Sequence, residues 1–291
     1  MKKEDLDNTG NLCDKLDLVG ENRRQDAEKI IKIVEHEKES WNNIFEEELK
    51  NIDNVNYLSY WWSDHYCQIV EYIDKSIKFK CTPSILEAGC GSGQSTLQLS
   101  TKTKLISLLD ISPVALDLAK KLSKIYNKNN VEFIEGNILS MPFKDKEYDL
   151  TWNIGVLEHY DKTLIPYLLK EMIRVTKDGG YIAIGIPNPK SLAIKKAKFL
   201  ANEKLKNLLK FIPGYRLDTE NLYSAKEVEE ILFEVSRKIG LKLSEIKVTH
   251  VGSPLLVWSP KFLIKFFKIF EKFEFIKKRK FLILIIAKIN Y

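Results

Sequence analysis

Cysteine is sparse in this 291-residue chain. The four present, Cys13, Cys67, Cys81 and Cys90, never form a C-x-x-C pair, so we expect free thiols, no disulfide framework and no metal site. Glycine and proline are also few, and 44% of the residues are hydrophobic, which excludes a low-complexity or disordered chain and allows one large core with an appended lid. Long apolar runs are missing. The longest, Phe281 to Ala287, falls far short of the roughly 20 residues that a membrane-spanning helix needs. The first residues, Met1 to Asp7, hold no apolar stretch of the signal-peptide kind, which leads us to expect a cytoplasmic protein. The net charge is +6, but arginine is scarce beside lysine, and phosphate or guanine recognition favours the guanidinium fork, so a nucleic-acid partner is not expected. No internal repeat is evident.

What the sequence does contain is concentrated in Ile85 to Thr96, which reads Ile-Leu-Glu-Ala-Gly-Cys-Gly-Ser-Gly-Gln-Ser-Thr. A short apolar strand ends near Glu87 and enters a turn with glycine at alternate positions, Gly89, Gly91 and Gly93. Such a turn lets a ligand lie against main-chain amides without meeting a Cβ, so a nucleotide-like molecule is expected there. The dinucleotide fingerprint G-x-G-x-x-G has its third glycine one residue later. An acid at the strand's end suits a ligand bearing an ammonium group better than it suits a pyrophosphate. A second acid, Asp110, closes the apolar run Leu105 to Leu109, where a carboxylate about 20 residues on grips ribose hydroxyls in nucleotide-binding α/β folds. Ser112 follows as an N-cap with Pro113 at the first helical position, and Ala115, Leu116, Leu118, Ala119 and Leu122 form an apolar helix face.

The pattern continues in order. Val131 to Ile134 is a third strand leading to Gly136-Asn137-Ile138, and Tyr148 to Trp152 is a fourth, ending in Asn153-Ile-Gly-Val-Leu-Glu158-His159. Leu168 to Gly180 reads as a helix and glycine turn into a fifth strand, Tyr181 to Ile186. From about Ser84 to Asn188 the chain resembles the class I S-adenosylmethionine-dependent methyltransferases, and its post-strand segment resembles the type 11, quinone-biosynthesis-like members. The resemblance implies a doubly wound, mostly parallel seven-stranded α/β sheet of Rossmann-like form, with S-adenosyl-L-methionine as cofactor. Carried over residue by residue, it implies cofactor contacts from Glu87, Gly89, Gly91, Gly93, Asp110, Asn137, Ile138 and Asn153. Asn137 stands where the family most often has Asp, and Gly-Asn is equally a turn dipeptide.

Methyl transfer from a sulfonium needs alignment and exclusion of water, and a hydroxyl acceptor also needs a base. His159 is the candidate general base, at the carboxyl edge of the sheet; its rival role is to hold the local turn by a hydrogen bond. Glu158 either orients the cofactor or holds that same turn. His65 and His250 are further candidate bases. Trp61, Trp62 and Tyr66 either face the sulfonium or anchor the helix Gln68 to Ile77 on the sheet. The family's DNA-methylating motifs, Asn/Asp-Pro-Pro-aromatic and Pro-Cys, are absent, since Asn153 is followed by Ile-Gly-Val. The expected activity is therefore methylation of a small-molecule acceptor, on oxygen. Two alternatives stand beside it: a lipid-like or membrane-borne acceptor, and a non-catalytic nucleotide-fold interaction module.

Acids prevail in the first part of the chain and bases after residue 190. The organisation reads as a partly helical N-terminal extension over residues 1–56 and a methyltransferase domain over 57–291, with a lid insertion at about 190–223. A helix from Glu21 to Lys50 carries apolar contacts and no sign of chemistry. Two basic, amphipathic stretches, Ile194 to Ile212 and Lys261 to Ile276, either lie on an anionic membrane, giving peripheral contact through the C-terminal segment, or cover the core with lysine stems.

Overall fold

Apolar strands that alternate with amphipathic helices bury two faces of a central sheet, and this chain folds accordingly. The computed structural model describes residues 23–50, 52, 60–201, 220–256 and 259–291. Within them, strands β1 (Ser84–Ala88), β2 (Leu105–Asp110), β3 (Val131–Glu135), β4 (Tyr148–Ile154), β5 (Thr176–Pro187), β6 (Lys242–Val251) and β7 (Leu282–Asn290) form one sheet in the order β3-β2-β1-β4-β5-β7-β6. The first five pair in parallel, and β7 runs antiparallel between β5 and β6. The sheet is thus the expected seven-stranded, mostly parallel one.

The helices among these residues are α1 (Arg23–Lys50), α2 (Tyr60–Ser76), α3 (Gln94–Leu97), α4 (Pro113–Ile125), α5 (Ile165–Val175), α6 (Leu192–Leu200), α7 (Ala225–Lys238), α8 (Lys261–Lys268) and α9 (Glu274–Lys277). Side chains alternate strictly along β7. Ile283, Ile285, Ala287 and Ile289 join the core shared with α5 and α7, while Leu282, Leu284 and Ile286 join the core shared with α2. Helix α4 begins where its sequence says it should: Ser112 Oγ accepts from the Ala115 amide at 3.1 Å, and Pro113 opens the helix.

Several segments differ from expectation. The helix expected from Gln68 starts eight residues earlier, so Tyr60 to Tyr66 form its first turns. Lys261 to Ile276 is not one helix but two short ones. β5 begins at Thr176, ahead of the glycine pair, and its register against β4 shifts between Tyr148 and Leu150 as the extra residues bulge out. Residues 1–22, the boundary at 56–57 and the second part of the lid insertion, 202–219, lie outside the described residues. Among those described, no helix is long and apolar enough to cross a membrane.

Candidate active site

The chain leaves β1 toward β2 on one side and β4 toward β5 on the other, and a crevice opens at the carboxyl ends of strands that diverge in this way. Here it is a cavity of about 750 Å³. One wall is the glycine turn, Gly89 to Ser92, with Asp110, Gly136, Asn137 and Ile138 beside it. The turn presents bare main chain because nothing larger fits. Gly89 and Gly91 have φ of 73° and 51°; a Cβ on the first would lie 2.8 Å from Val156 Cγ2, and on the second 3.0 Å from Phe45 Cζ. Asp110 braces the turn, accepting from the amides of Gly91 at 2.7 Å and Ser112 at 2.9 Å. Burial raises its carboxyl pKa, and those amide bonds oppose the rise.

A second wall comes from α1 and α2, with the Phe45 ring reaching the glycine turn at Gly91. Glu37, Trp41, Ile44 and Glu48 follow one another at helical spacing along the face of α1 that meets the cavity, with Phe45 beside them, and α2 adds Trp62 and Tyr66. Two contacts to the sheet side fix α1: Ser112 Oγ donates to Asn42 Oδ1 at 2.6 Å, and Lys38 pairs with Glu135 at 2.5 Å. Between the walls stands His159, at the end of a 3-10 turn (Leu157–His159), its ring edge-on to Trp41 with centroids 4.9 Å apart. Burial lowers its pKa below the ordinary 6.5 although Glu37 and Glu220 pull the other way, so the imidazole is neutral at pH 7.

The cavity suits an adenosyl sulfonium. Bare amides and a carboxylate can meet ribose hydroxyls, and aromatic faces attract a cation. Comparison with known proteins agrees. Residues 85–180 match the family model described as a methyltransferase domain. The chain is 28% identical over 176 residues to the demethylmenaquinone methyltransferase of Bacillus licheniformis, covering 58% of this chain and 72% of that protein. It is 34% identical over 134 residues to the Lactococcus lactis enzyme of the same name, covering 44% of this chain and about half of that protein, 51%. Among solved structures, the fold matches a SAM-dependent methyltransferase from Thermotoga maritima described as a possible histamine N-methyltransferase, with a TM-score of 0.53 at 18% identity, covering 85% of this chain and 99% of that one. The chain is a class I S-adenosylmethionine-dependent methyltransferase. It is an enzyme with S-adenosyl-L-methionine as cofactor, and the non-catalytic reading falls away.

Of the residues singled out in sequence, this methyltransferase brings Gly89, Gly91, Asp110, Asn137, Ile138 and His159 to the cavity wall. Glu87, Gly93, Asn153 and Glu158 stand off it. Glu87 points to the α3 face of β1, where its Oε2 accepts the Thr96 hydroxyl at 2.7 Å; burial pushes its pKa up to about 8. Gly93 caps α3 in a left-handed conformation under Leu108. Asn153 lies inside the core, its Nδ2 donating to Met172 Sδ at 3.2 Å. Glu158 is buried behind the 3-10 turn, Oε2 lacks a hydrogen-bond partner among the described residues, and burial pushes its pKa up to about 8.

The aromatic cluster divides. Trp62 and Tyr66 line the cavity, while Trp61 is fully buried and donates to the Leu255 carbonyl at 3.1 Å. Neither His65 nor His250 reaches the cavity wall; His65 sits among Trp61, Trp62, Tyr66 and Phe281, where burial lowers its pKa to about 3. Sequence reasoning missed α1. The signal was there in Glu37, Trp41, Ile44 and Glu48, which mix acids and aromatics on one helix face where a purely packing face would be apolar.

Proposed function

We propose that this methyltransferase methylates a hydroxyl oxygen on a small, ring-bearing, largely apolar acceptor, with His159 removing the hydroxyl proton. One observation carries the reading: a neutral imidazole in the cavity wall, set edge-on against Trp41. Bound cofactor supplies an electrophilic methyl group on a sulfonium. The chain's residues then have separate tasks. The bare turn at Gly89 and Gly91 and the Asp110 carboxylate hold the adenosyl group, with Asn137 and Ile138 at the base. Glu87, through Thr96, and Gly93 shape the turn from behind, and Asn153 and Glu158 support the strand end and the 3-10 turn. Trp41, Phe45, Trp62 and Tyr66 clasp the acceptor ring and keep water out. The names of the curated relatives, demethylmenaquinone methyltransferases, support the ring-bearing, largely apolar part of this reading.

The test incubates purified protein with methyl-labelled cofactor and a panel of phenols and reduced naphthoquinones, and locates the label by mass spectrometry. Oxygen-methylated product is expected. His159→Gln should lower kcat by about a hundredfold or more while leaving S-adenosylhomocysteine affinity unchanged. The wild-type rate should fall along an acid limb centred below pH 6.5, and the variant should lack that limb. Label on carbon or nitrogen overturns the O-methyl assignment, and an unaltered rate in the variant overturns the base.

A further inference from the structure

Five large apolar side chains on and between α8 and α9 face solvent: Phe262, Phe266, Ile269, Phe273 and Phe275, each between 44% and 69% exposed. They form one patch. Phe266 and Phe270 lie 5.1 Å apart, Phe270 and Phe273 6.4 Å, and Phe273 and Phe275 6.1 Å, centroid to centroid. Isolated exposed apolar residues are ordinary, but a contiguous aromatic patch of this kind marks an interaction surface.

The patch is mounted on the body of the protein. Ile264 and Ile276 are buried beneath it, Lys268 pairs with the buried Asp64 of α2, and Lys280 bonds both Glu271 and Gln68 at 2.8 Å. With its underside anchored, the segment cannot turn its rings inward without breaking these contacts. Residues 261–280 also hold eight lysines and arginines against two acids. That excess of six within 20 residues makes the segment that carries the rings strongly basic.

We propose that this surface docks on an anionic lipid bilayer, with the phenylalanines entering at headgroup depth and the lysines meeting lipid phosphates. Exposed aromatic rings interleaved with lysines on short helices suit that boundary, where rings bury and ammonium heads stay wet. A second copy of the chain would bring the same excess of positive charge against itself. The Lys268–Asp64 pair joins the surface to α2, the helix that on another of its faces, through Trp62 and Tyr66, lines the cavity. The proposal is independent of which acceptor atom is methylated.

Flotation with phosphatidylcholine vesicles, with and without phosphatidylglycerol, tests it on the full chain. The protein should float with phosphatidylglycerol vesicles at low salt and remain below with phosphatidylcholine alone. Phe262→Ser/Phe266→Ser/Phe275→Ser should lower partitioning roughly a hundredfold. Lys265→Glu/Lys272→Glu should lower it about tenfold or more and blunt its salt dependence, independently of any effect of the first variant on folding. The proposal is overturned if the wild type stays below in both mixtures or if both variants float as well as it does. It is equally overturned if sedimentation velocity shows the phenylalanine variant breaking a wild-type dimer that does not bind vesicles.

Discussion

One wall of the cavity is main chain and the other is side chains. Gly89 to Ser92 and Asp110 are held by hydrogen bonds to the strands they extend, and the Gly89 and Cys90 amides both donate to the Leu109 carbonyl, at 2.8 and 2.9 Å. Trp41, Phe45, Trp62 and Tyr66 instead come from helices at distant points of the chain and reach the sheet side through a few tethers such as Asn42 to Ser112. A backbone wall recognises what all its ligands share. A side-chain wall can be rebuilt without disturbing it, so the two should answer differently to substitution.

The largest effect is expected on the backbone wall. Gly89→Ala puts a Cβ into left-handed φ and against Val156, and calorimetry should show S-adenosylhomocysteine affinity reduced about a hundredfold or more. Trp41→Ala is the matched probe of the other wall. It should raise the acceptor KM about tenfold while leaving cofactor affinity within about threefold of wild type. Equal loss of cofactor affinity in both variants would break the division between the walls. The smallest effect concerns the support behind them. Glu158 has a folded pKa of about 8 against an ordinary 4.5, so between those pH values the folded protein keeps a proton that the unfolded chain has released. Stability should therefore fall as pH rises from about 4.5 to about 8. Glu158→Gln should flatten that slope, with melting temperatures converging below it and the variant higher by a few degrees at pH 8.

The same division explains what could be read from the sequence. The glycine turn, Asp110 and the Ser112-Pro113 helix start are set by neighbours within a few residues, and each lies where its local chemistry implies. Glu87 misled because an acid at a strand end has two faces open to it; the parity it shares with Ile85 sends it toward α3 instead of the rim. Asn153 went the same way, toward Met172. α1 was legible as a helix and illegible as a wall, since only packing over the sheet shows which face meets the crevice. The phenylalanine spacing after Lys261 outlived the break in its helix because α8, the residues after it and α9 share one outward side.

Beneath the crevice, the Trp152 indole donates to Thr96 Oγ1 at 2.8 Å, and that hydroxyl donates to Glu87, the residue paired with Trp152 across β1 and β4. The strands from which the chain departs in opposite directions are thereby laced together just below the fork. The width of the gap is set before any guest arrives, and little of a nucleoside's affinity has to be spent on ordering its host.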